Sequence, residues 1–244
     1  MMAMAKPIAL TGLAILMAVS PLVDPADAQR GRTEGRRSDG PRQDDYTNRT
    51  AFTPENGVRI GNPNARVKVV AYMSMACPEC AEFVERSDER LFLGLVRRGV
   101  VSVEYRPFVS NGFDLAATMV ARCARPRLYF DLTHALLGNQ PRWMGRMQGL
   151  SDAQRNELRS LPQLAAMQRL ATWLELDQIA ARNGLPAAQL RTCLADQAGL
   201  DRIAALQIGA RTLGITRAPS FIVNGQLTDA HDWPALERLI RAAQ

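Results

Sequence analysis

The sequence predicts an α/β fold in which a strand–helix–strand half and a hairpin–helix half are separated by a large all-helical insertion. The first half is predicted from two β-branched, apolar runs, Val67–Tyr72 and Val100–Arg106, with a helical pattern between them. The insertion rests on helical periodicity over about residues 112–213. The second half rests on a hairpin signal and a closing amphipathic helix near the C-terminus.

Length and composition agree with a folded domain that has ample core. The chain has 244 residues, of which 47% are hydrophobic and 22% charged, and this composition excludes a wholly disordered chain. The formal net charge is +6, and nearly all of the positive charge is arginine. Because the charge is spread along the chain without interleaved aromatic residues, nucleic-acid binding is not expected.

The N-terminus has the pattern of a secretory signal peptide. Lys6 precedes a short apolar run, and a small-x-small sequence ends at Ala28, so we expect residues 1–28 to be removed on export. An uncleaved membrane anchor is the alternative. Residues 29–55 are Arg/Gly-rich and hold little apolar surface, which predicts a flexible tail. The folded domain is expected over residues 56–244.

The elements of the first half follow in order. Gly57–Gly61 is predicted to be a short edge strand, and Val67–Tyr72 the central strand. A helix is expected from Cys77 to about Arg97. Val100–Arg106 then forms a strand that pairs in parallel with the central one, because a right-handed crossover joins them.

Helices are predicted throughout the insertion. Pro126–Leu137 begins with a proline suited to the first helical turn, and Ser151–Gln154 fits a capping box. Leu170–Asn183 is predicted to be one long amphipathic helix closed by Gly184.

The chain becomes extended again after the insertion. Ser220–Val223 and Gln226–Leu227 flank an Asn-Gly pair, which is a strong hairpin signal. Trp233–Ala243 is the closing amphipathic helix. The two halves and the insertion together give a thioredoxin fold with a large helical insertion.

A Cys-x-x-Cys motif lies between the central strand and the first helix. If that helix begins at Cys77, the sulfur lies among free backbone N–H groups at the positive end of the helix dipole, which favours a thiolate. Pro78 suits the first helical turn. Because a thiolate attacks disulfides and a thiol hardly does, the strand–motif–helix context indicates a redox site. A structural disulfide between Cys77 and Cys80 is the alternative.

Four segments resemble the DsbA-like periplasmic thiol–disulfide oxidoreductases of the thioredoxin superfamily. They are Gly61–Val67, Tyr72–Phe83, Asn139–Trp143 and Gly214–Gly225, and the match extends from about Gly61 to the C-terminus. The resemblance implies a protein disulfide oxidoreductase that needs no cofactor and works in the periplasm. The sequence departs from the family pattern at Glu79, where His or Tyr is frequent, and at Ala218, where Thr or Val is frequent.

The resemblance implies a role for each residue of the site. Cys77 is expected to be the exposed nucleophile, and Cys80 to resolve the mixed disulfide. Pro219 is expected to be cis and to face the Cys77 sulfur, so that the preceding backbone can pair with a substrate strand. A trans proline is the alternative. Ala218 offers no hydroxyl group, so only its backbone can contribute.

Pro78 and Glu79, between the two cysteines, are expected to tune the redox couple together with Ala218. The Glu79 carboxylate opposes formation of a thiolate at Cys77, so we expect a weaker oxidant than a relative with His at this position. The alternative is a solvated, screened carboxylate with no effect.

Cys123 and Cys193 lie on apolar helical stripes of the insertion. In an oxidising compartment an even count of four cysteines favours pairing. We expect a structural disulfide that ties two helices, similar to one in some relatives of the family. Two separate buried cysteines are the alternative.

The leading functional hypothesis is a monomeric enzyme that introduces disulfides into cysteine-containing exported proteins and is reset by a membrane redox partner. A periplasmic disulfide reductase or isomerase is the alternative within the same chemistry. A Cu(I)-binding delivery protein is the alternative from another class, because Met73 and Met75 are soft ligands near the motif. We expect no metal site, and we expect His134 and His231 to be ordinary helical or loop residues.

Overall fold

The computed structural model of this protein describes residues 44–244. The expected signal peptide and the first part of the predicted tail lie outside these residues. Within them, six strands form one sheet in the order β1-β2-β4-β3-β5-β6. In chain order the strands are β1 Thr50–Phe52, β2 Val58–Gly61, β3 Val67–Met73, β4 Val101–Pro107, β5 Ser220–Val223 and β6 Gln226–Leu227.

The sheet brings the two predicted halves together at one end of its central strands. Strand β3 pairs in parallel with β4, from Val67 opposite Val101 to Met73 opposite Pro107, as the crossover rule predicts. On its other side β3 pairs antiparallel with β5, and Tyr72 lies opposite Ser220. The end of β3 and the start of β5 therefore meet, which places the Cys-x-x-Cys loop beside the proline loop.

Ten α-helices and one π-helical stretch occur among the described residues. The π-helical stretch, Asp88–Val96, continues directly from the first α-helix. The α-helices are α1 Pro78–Ser87, α2 Gly112–Arg122, α3 Pro126–Gly138, α4 Gln140–Gln148, α5 Asp152–Ser160, α6 Gln163–Trp173, α7 Leu176–Arg182, α8 Ala187–Leu194, α9 Gln197–Thr212 and α10 Trp233–Ala242. A thioredoxin fold with a helical insertion, α2–α9, is confirmed.

Ordered structure begins before the expected domain boundary at residue 56. A 3-10 helix, Tyr46–Asn48, is anchored by a hydrogen bond from Tyr46 N to Arg97 O of 3.1 Å and by an Asp45–Arg97 ion pair of 3.2 Å. Strand β1 follows and pairs with β2. The predicted flexible tail therefore ends earlier than residue 55, and β2 is an inner strand rather than the edge.

The prediction of one helix over Leu170–Asn183 is wrong. The helix is interrupted between α6 and α7 at Glu175, whose φ of +58° is left-handed. Glu175 pairs with Arg142 at 2.7 Å and also with Arg146, both from α4. The local apolar periodicity gives no reason to expect this left-handed backbone conformation.

A disulfide joins Cys123, directly after α2, to Cys193 in α8, with an S–S distance of 2.02 Å. The bond ties two helices within the insertion. It closes a stretch of chain with a sequence separation of 70 residues, and this long loop makes it a candidate for a large contribution to stability.

Candidate functional site

The Cys-x-x-Cys motif is built into the start of α1. Cys77 is the N-cap residue, with Pro78 in the first turn, and the Cys77 sulfur accepts a hydrogen bond from the Cys80 backbone N–H at 3.3 Å. Because the first turn of a helix leaves its N–H groups without intrahelical partners, this sulfur takes the position of a capping group. The local sequence thus places a sulfur where negative charge is favoured.

The two cysteines differ in burial and in acidity. Both are free thiols in the structure, with Cys77 half-buried and Cys80 fully buried. The Cys80 side chain lowers the pKa of Cys77 through a hydrogen bond, while burial and Glu79 oppose this effect. Burial raises the pKa of the Cys80 thiol well above its ordinary value, and the neighbouring Cys77 raises it further. A thiolate is therefore more stable at Cys77 than at Cys80.

Glu79 contacts the Cys77 sulfur directly. The Cys77 thiol donates to Glu79 Oε2 at 3.1 Å, although the Glu79 side chain is exposed to solvent. The same hydrogen bond lowers the pKa of Glu79, so the carboxylate remains charged beside the sulfur. The contact stabilises the thiol form of Cys77 relative to the thiolate.

The proline loop faces the same sulfur. The Ala218–Pro219 peptide bond is cis, and the Ala218 carbonyl oxygen lies 3.2 Å from Cys77 Sγ as a second acceptor for its proton. His231 holds the loop from behind, with Nδ1 at 2.8 Å from the Pro219 carbonyl oxygen. The Ala218 carbonyl group is thus placed next to the sulfur, at a bend that directly precedes β5.

Residues 53–242 match the family described as Thioredoxin. The chain belongs to the thioredoxin family. A Rickettsia bellii protein named for protein-disulfide oxidoreductase activity is 27% identical over 196 residues, which cover 78% of this chain and 65% of that protein. A Rickettsia prowazekii protein of the same description is 24% identical over 191 residues, covering 78% of this chain and 62% of that protein. The chain thus spans slightly less than two thirds of these relatives.

Solved structures with the same fold include two bacterial proteins. The protein-disulfide isomerase of Novosphingobium aromaticivorans is 28% identical, with a TM-score of 0.70 over 75% of this chain and 95% of that one. The α-DsbA1 of Wolbachia pipientis is 19% identical, with a TM-score of 0.59 over 78% and 92%. The fold of this thioredoxin-family protein is therefore that of DsbA-like proteins.

Two side chains of the insertion hold the redox loop of this thioredoxin-family protein and were not singled out from the sequence. Gln140, at the start of α4, donates through Nε2 to the Met75 carbonyl oxygen at 2.7 Å and to that of Cys77 at 3.0 Å. Asp114 in α2 accepts from the Met75 N–H at 2.8 Å. Side chains of the insertion therefore form hydrogen bonds with both the backbone N–H and the backbone carbonyl of Met75.

Sequence signals for these residues existed but were weak. Gln140 lies in the Asn139–Trp143 segment that resembles the family, yet nothing in the sequence showed what it touches. Asp114 interrupts an apolar run, which is a signal for a buried carboxylate. The sequence predicts an ordinary loop residue at His231, and only the fold shows its contact with the proline loop.

The described part of this thioredoxin-family protein contains no group of three or more His, Cys, Asp or Glu residues arranged to hold a metal ion. Met73 and Met75, the soft ligands of the copper alternative, are buried in the core. None of the described helices has the length and apolarity needed to cross a membrane.

Proposed function

We propose that the protein is a thiol–disulfide oxidoreductase that donates disulfides to cysteine-containing exported proteins through the Cys77–Cys80 couple. The observation that carries the proposal is the position of one sulfur. Cys77 Sγ caps α1, lies 3.2 Å from the carbonyl oxygen before a cis proline, and is paired with a fully buried second thiol. Such a sulfur can be attacked from outside while its partner stays protected.

The reaction runs as two exchanges. A substrate thiolate attacks Cys77 Sγ of the oxidised couple, the Cys77–Cys80 bond breaks, and Cys80 leaves with the bonding electrons and takes up a proton. A second substrate thiolate then attacks the substrate sulfur of the mixed disulfide, and Cys77 leaves as a thiolate. The substrate is oxidised by two electrons and the protein is reduced by two, so a membrane redox partner must reoxidise it.

Two observations support the proposed chemistry and its compartment. The relatives are named for protein-disulfide oxidoreductase activity. The N-terminal sequence has the pattern of a signal peptide, and export to the periplasm would place the protein where disulfides persist. N-terminal sequencing of the exported protein tests this part of the proposal: we expect the mature chain to begin at Gln29.

A reductase or isomerase is the second candidate, and one observation favours it. The hydrogen bond from Cys77 to Glu79 stabilises the thiol, which reduces the driving force for donating a disulfide. The Novosphingobium aromaticivorans neighbour is named as a protein-disulfide isomerase.

Two measurements separate these candidates. The oxidised protein is mixed with a reduced, unfolded model protein, and disulfide formation is followed as recovered activity of that model protein. The equilibrium of Cys77–Cys80 with a glutathione buffer is measured in parallel. Rapid oxidation of the model protein supports the disulfide donor, and so does a Cys77–Cys80 couple that stays mostly reduced in buffers that contain both oxidised and reduced glutathione. A couple as reducing as thioredoxin, with no oxidation of the model protein, assigns the reductase.

Glu79 gives a sharp test of redox tuning. In Glu79→Gln the carboxylate charge beside Cys77 is gone, so the thiolate and with it the reduced protein are stabilised. We expect the equilibrium with glutathione to shift toward reduced protein by about threefold to tenfold. Titration of thiolate absorbance should show a lower Cys77 pKa.

Glu82→Gln is the matched control for this test, because Glu82 is an exposed carboxylate on the same helix that pairs with Arg86 at 2.9 Å. It should leave the equilibrium unchanged. The difference between Glu79→Gln and the wild-type protein should shrink at pH values below the Cys77 pKa, where both carry a thiol. If Glu79→Gln and the wild-type protein have the same equilibrium with glutathione at neutral pH, Glu79 has no tuning role.

A further inference from the structure

A cavity of about 310 Å³ lies at the end of α2 that is remote from the redox loop. Its lining residues belong to β1, α2, α8 and α9 and to the segments next to them. The helical rise along α2 from Asp114, which contacts the redox loop, to Arg122, which lines the cavity, is about 12 Å. The cavity is therefore separate from the redox site, and its volume is in the range of small-molecule sites.

Arg122 brings a positive charge into this cavity. Its Nη1 donates to the Asn56 carbonyl oxygen at 2.7 Å, and its guanidinium carbon lies 5.6 Å from the centre of the Phe52 ring. Within residues 44–244 this hydrogen bond is the only one that Arg122 forms, and it has no ion pair there. Because a guanidinium group has five N–H donors, most of the hydrogen-bonding capacity of Arg122 is left for a ligand.

The carboxylate that shares the cavity with Arg122 already has partners. Among the described residues that line the cavity, Asp196 provides the one carboxylate. Its Oδ1 accepts from the Ala198 N–H at 3.0 Å as the N-cap of α9, and its Oδ2 accepts from Arg202 Nη2 at 3.2 Å. The lining thus holds two guanidinium groups and one carboxylate, which leaves one positive charge in excess.

The Arg122 charge is also poorly solvated. Burial lowers the pKa of the Arg122 guanidinium, and the neighbouring charge of Arg202 acts in the same direction against an opposing effect of Tyr129. Arginine nevertheless stays protonated at neutral pH. An anion in contact with Arg122 would therefore replace hydration that this cation has lost on burial.

Much of the remaining lining is apolar. Met119 of α2 and Ile203 of α9 are each 3% exposed, and Phe52 of β1 is 53% exposed. Cys193 also lines the cavity, and its sulfur carries no charge because it is bonded to Cys123. A molecule in this cavity would meet a guanidinium group at one side and apolar side chains at the others.

We propose that this cavity binds a small organic carboxylate, whose charged group pairs with Arg122 and whose apolar body packs against Met119, Ile203 and Phe52. A planar carboxylate matches the two parallel N–H groups that a guanidinium presents, so the pairing fixes orientation as well as charge. The apolar body adds the hydrophobic contribution. This ligand site is independent of the proposed disulfide exchange, because no residue of the redox loop takes part in it.

The test compares two probes of nearly equal shape, 2-naphthoate and its neutral amide, 2-naphthamide. Titration calorimetry on the wild-type protein should show one site that binds naphthoate about tenfold more tightly than naphthamide. In Arg122→Met we expect naphthoate to bind about tenfold more weakly and naphthamide to be nearly unaffected, since only the charged contact is lost. Absence of naphthoate binding to the wild-type protein, or equal affinities for the two probes, overturns the proposal.

Arg169→Met is the matched control. Arg169 also lies over an aromatic ring, that of Trp173 at 5.8 Å, but it has its own carboxylate partner, Glu157, at 2.8 Å. Its replacement should leave the affinity for naphthoate unchanged. A loss as large as in Arg122→Met would show that any exposed arginine contributes to binding, and it overturns the assignment to this cavity.

A measurement on the wild-type protein locates the probe without any variant. In protein with 13C-labelled methionine methyl groups, saturating naphthoate should shift the NMR signal of Met119 and leave that of Met75, next to the redox loop, in place. A Met119 signal that stays constant while naphthoate binds overturns the proposal, whether or not Arg122→Met folds. Failure of the proposed disulfide donation would leave both measurements unaffected, because neither involves the Cys77–Cys80 couple.

Discussion

Cys77→Ser should reduce dithiol oxidation to the uncatalysed rate, whereas Cys80→Ser should trap substrate on the protein. The reason is the different exposure of the two sulfurs, since Cys77 is half-buried at the helix N-terminus and Cys80 is fully buried. A serine hydroxyl forms no disulfide, so Cys77→Ser has no attackable bond and no nucleophile. In Cys80→Ser the nucleophile remains, but the residue that releases a mixed disulfide is absent.

Non-reducing electrophoresis and intact mass measure both outcomes. Cys80→Ser, incubated with a model protein that carries a disulfide, should give a covalent adduct that a reductant releases, and Cys77→Ser should give none. The double variant Cys77→Ser/Cys80→Ser controls for reaction at Cys123 and Cys193, which are joined to each other. An adduct on Cys77→Ser of equal yield would show that the two cysteines exchange roles.

This asymmetry was predictable because its causes are local. A β-branched run, a Cys-Pro pair and an amphipathic helix specify a strand, a helix cap and a first helical turn, all within Val67–Ser87. The hairpin was predictable for the same reason, since Asn224 and Gly225 both adopt positive φ between β5 and β6. Where the neighbours in sequence are also the neighbours in space, pattern and structure agree.

The features that the sequence did not predict depend on contacts between distant segments. Strand β1, three residues long, has too little pattern to be detected and owes its form to pairing with β2. At Glu175 the predicted single helix is interrupted, and this residue pairs with two arginines of α4. The 3.1 Å contact of Glu79 with Cys77 depends on a side-chain rotamer, which spacing alone does not determine.

The candidate site likewise has one part that the local sequence predicts and another that depends on contacts between distant segments. The motif gives the reacting atoms, while the residues that hold them come from the insertion and from beyond the hairpin. Asp114 is 37 residues after Cys77 in the numbering, and both it and Gln140 reach the loop through tertiary packing. The insertion is therefore part of the candidate redox site, and we expect its integrity to matter to the chemistry as well as to stability.

Loss of the Cys123–Cys193 disulfide is the second large effect that we expect. The bond closes a loop with a sequence separation of 70 residues, and in the chain-entropy model such a loop is worth about 4 kcal/mol of unfolding free energy. Cys123→Ala/Cys193→Ala should therefore lower the free energy of unfolding by about that amount, and the melting temperature by about 10 °C. Urea unfolding followed by circular dichroism measures the change.

A second comparison separates the cross-link from side-chain packing, because Cys123 is itself buried and its truncation removes contacts. In a Cys77→Ala/Cys80→Ala background the remaining disulfide can be reduced without changing any residue, and the oxidised and reduced proteins then differ only in the bond. An equal loss in this pair and in Cys123→Ala/Cys193→Ala assigns the effect to the cross-link. If reduction leaves the unfolding midpoint unchanged, the bond does not stabilise the insertion, and the loss in the alanine variant reflects packing at Cys123 and Cys193.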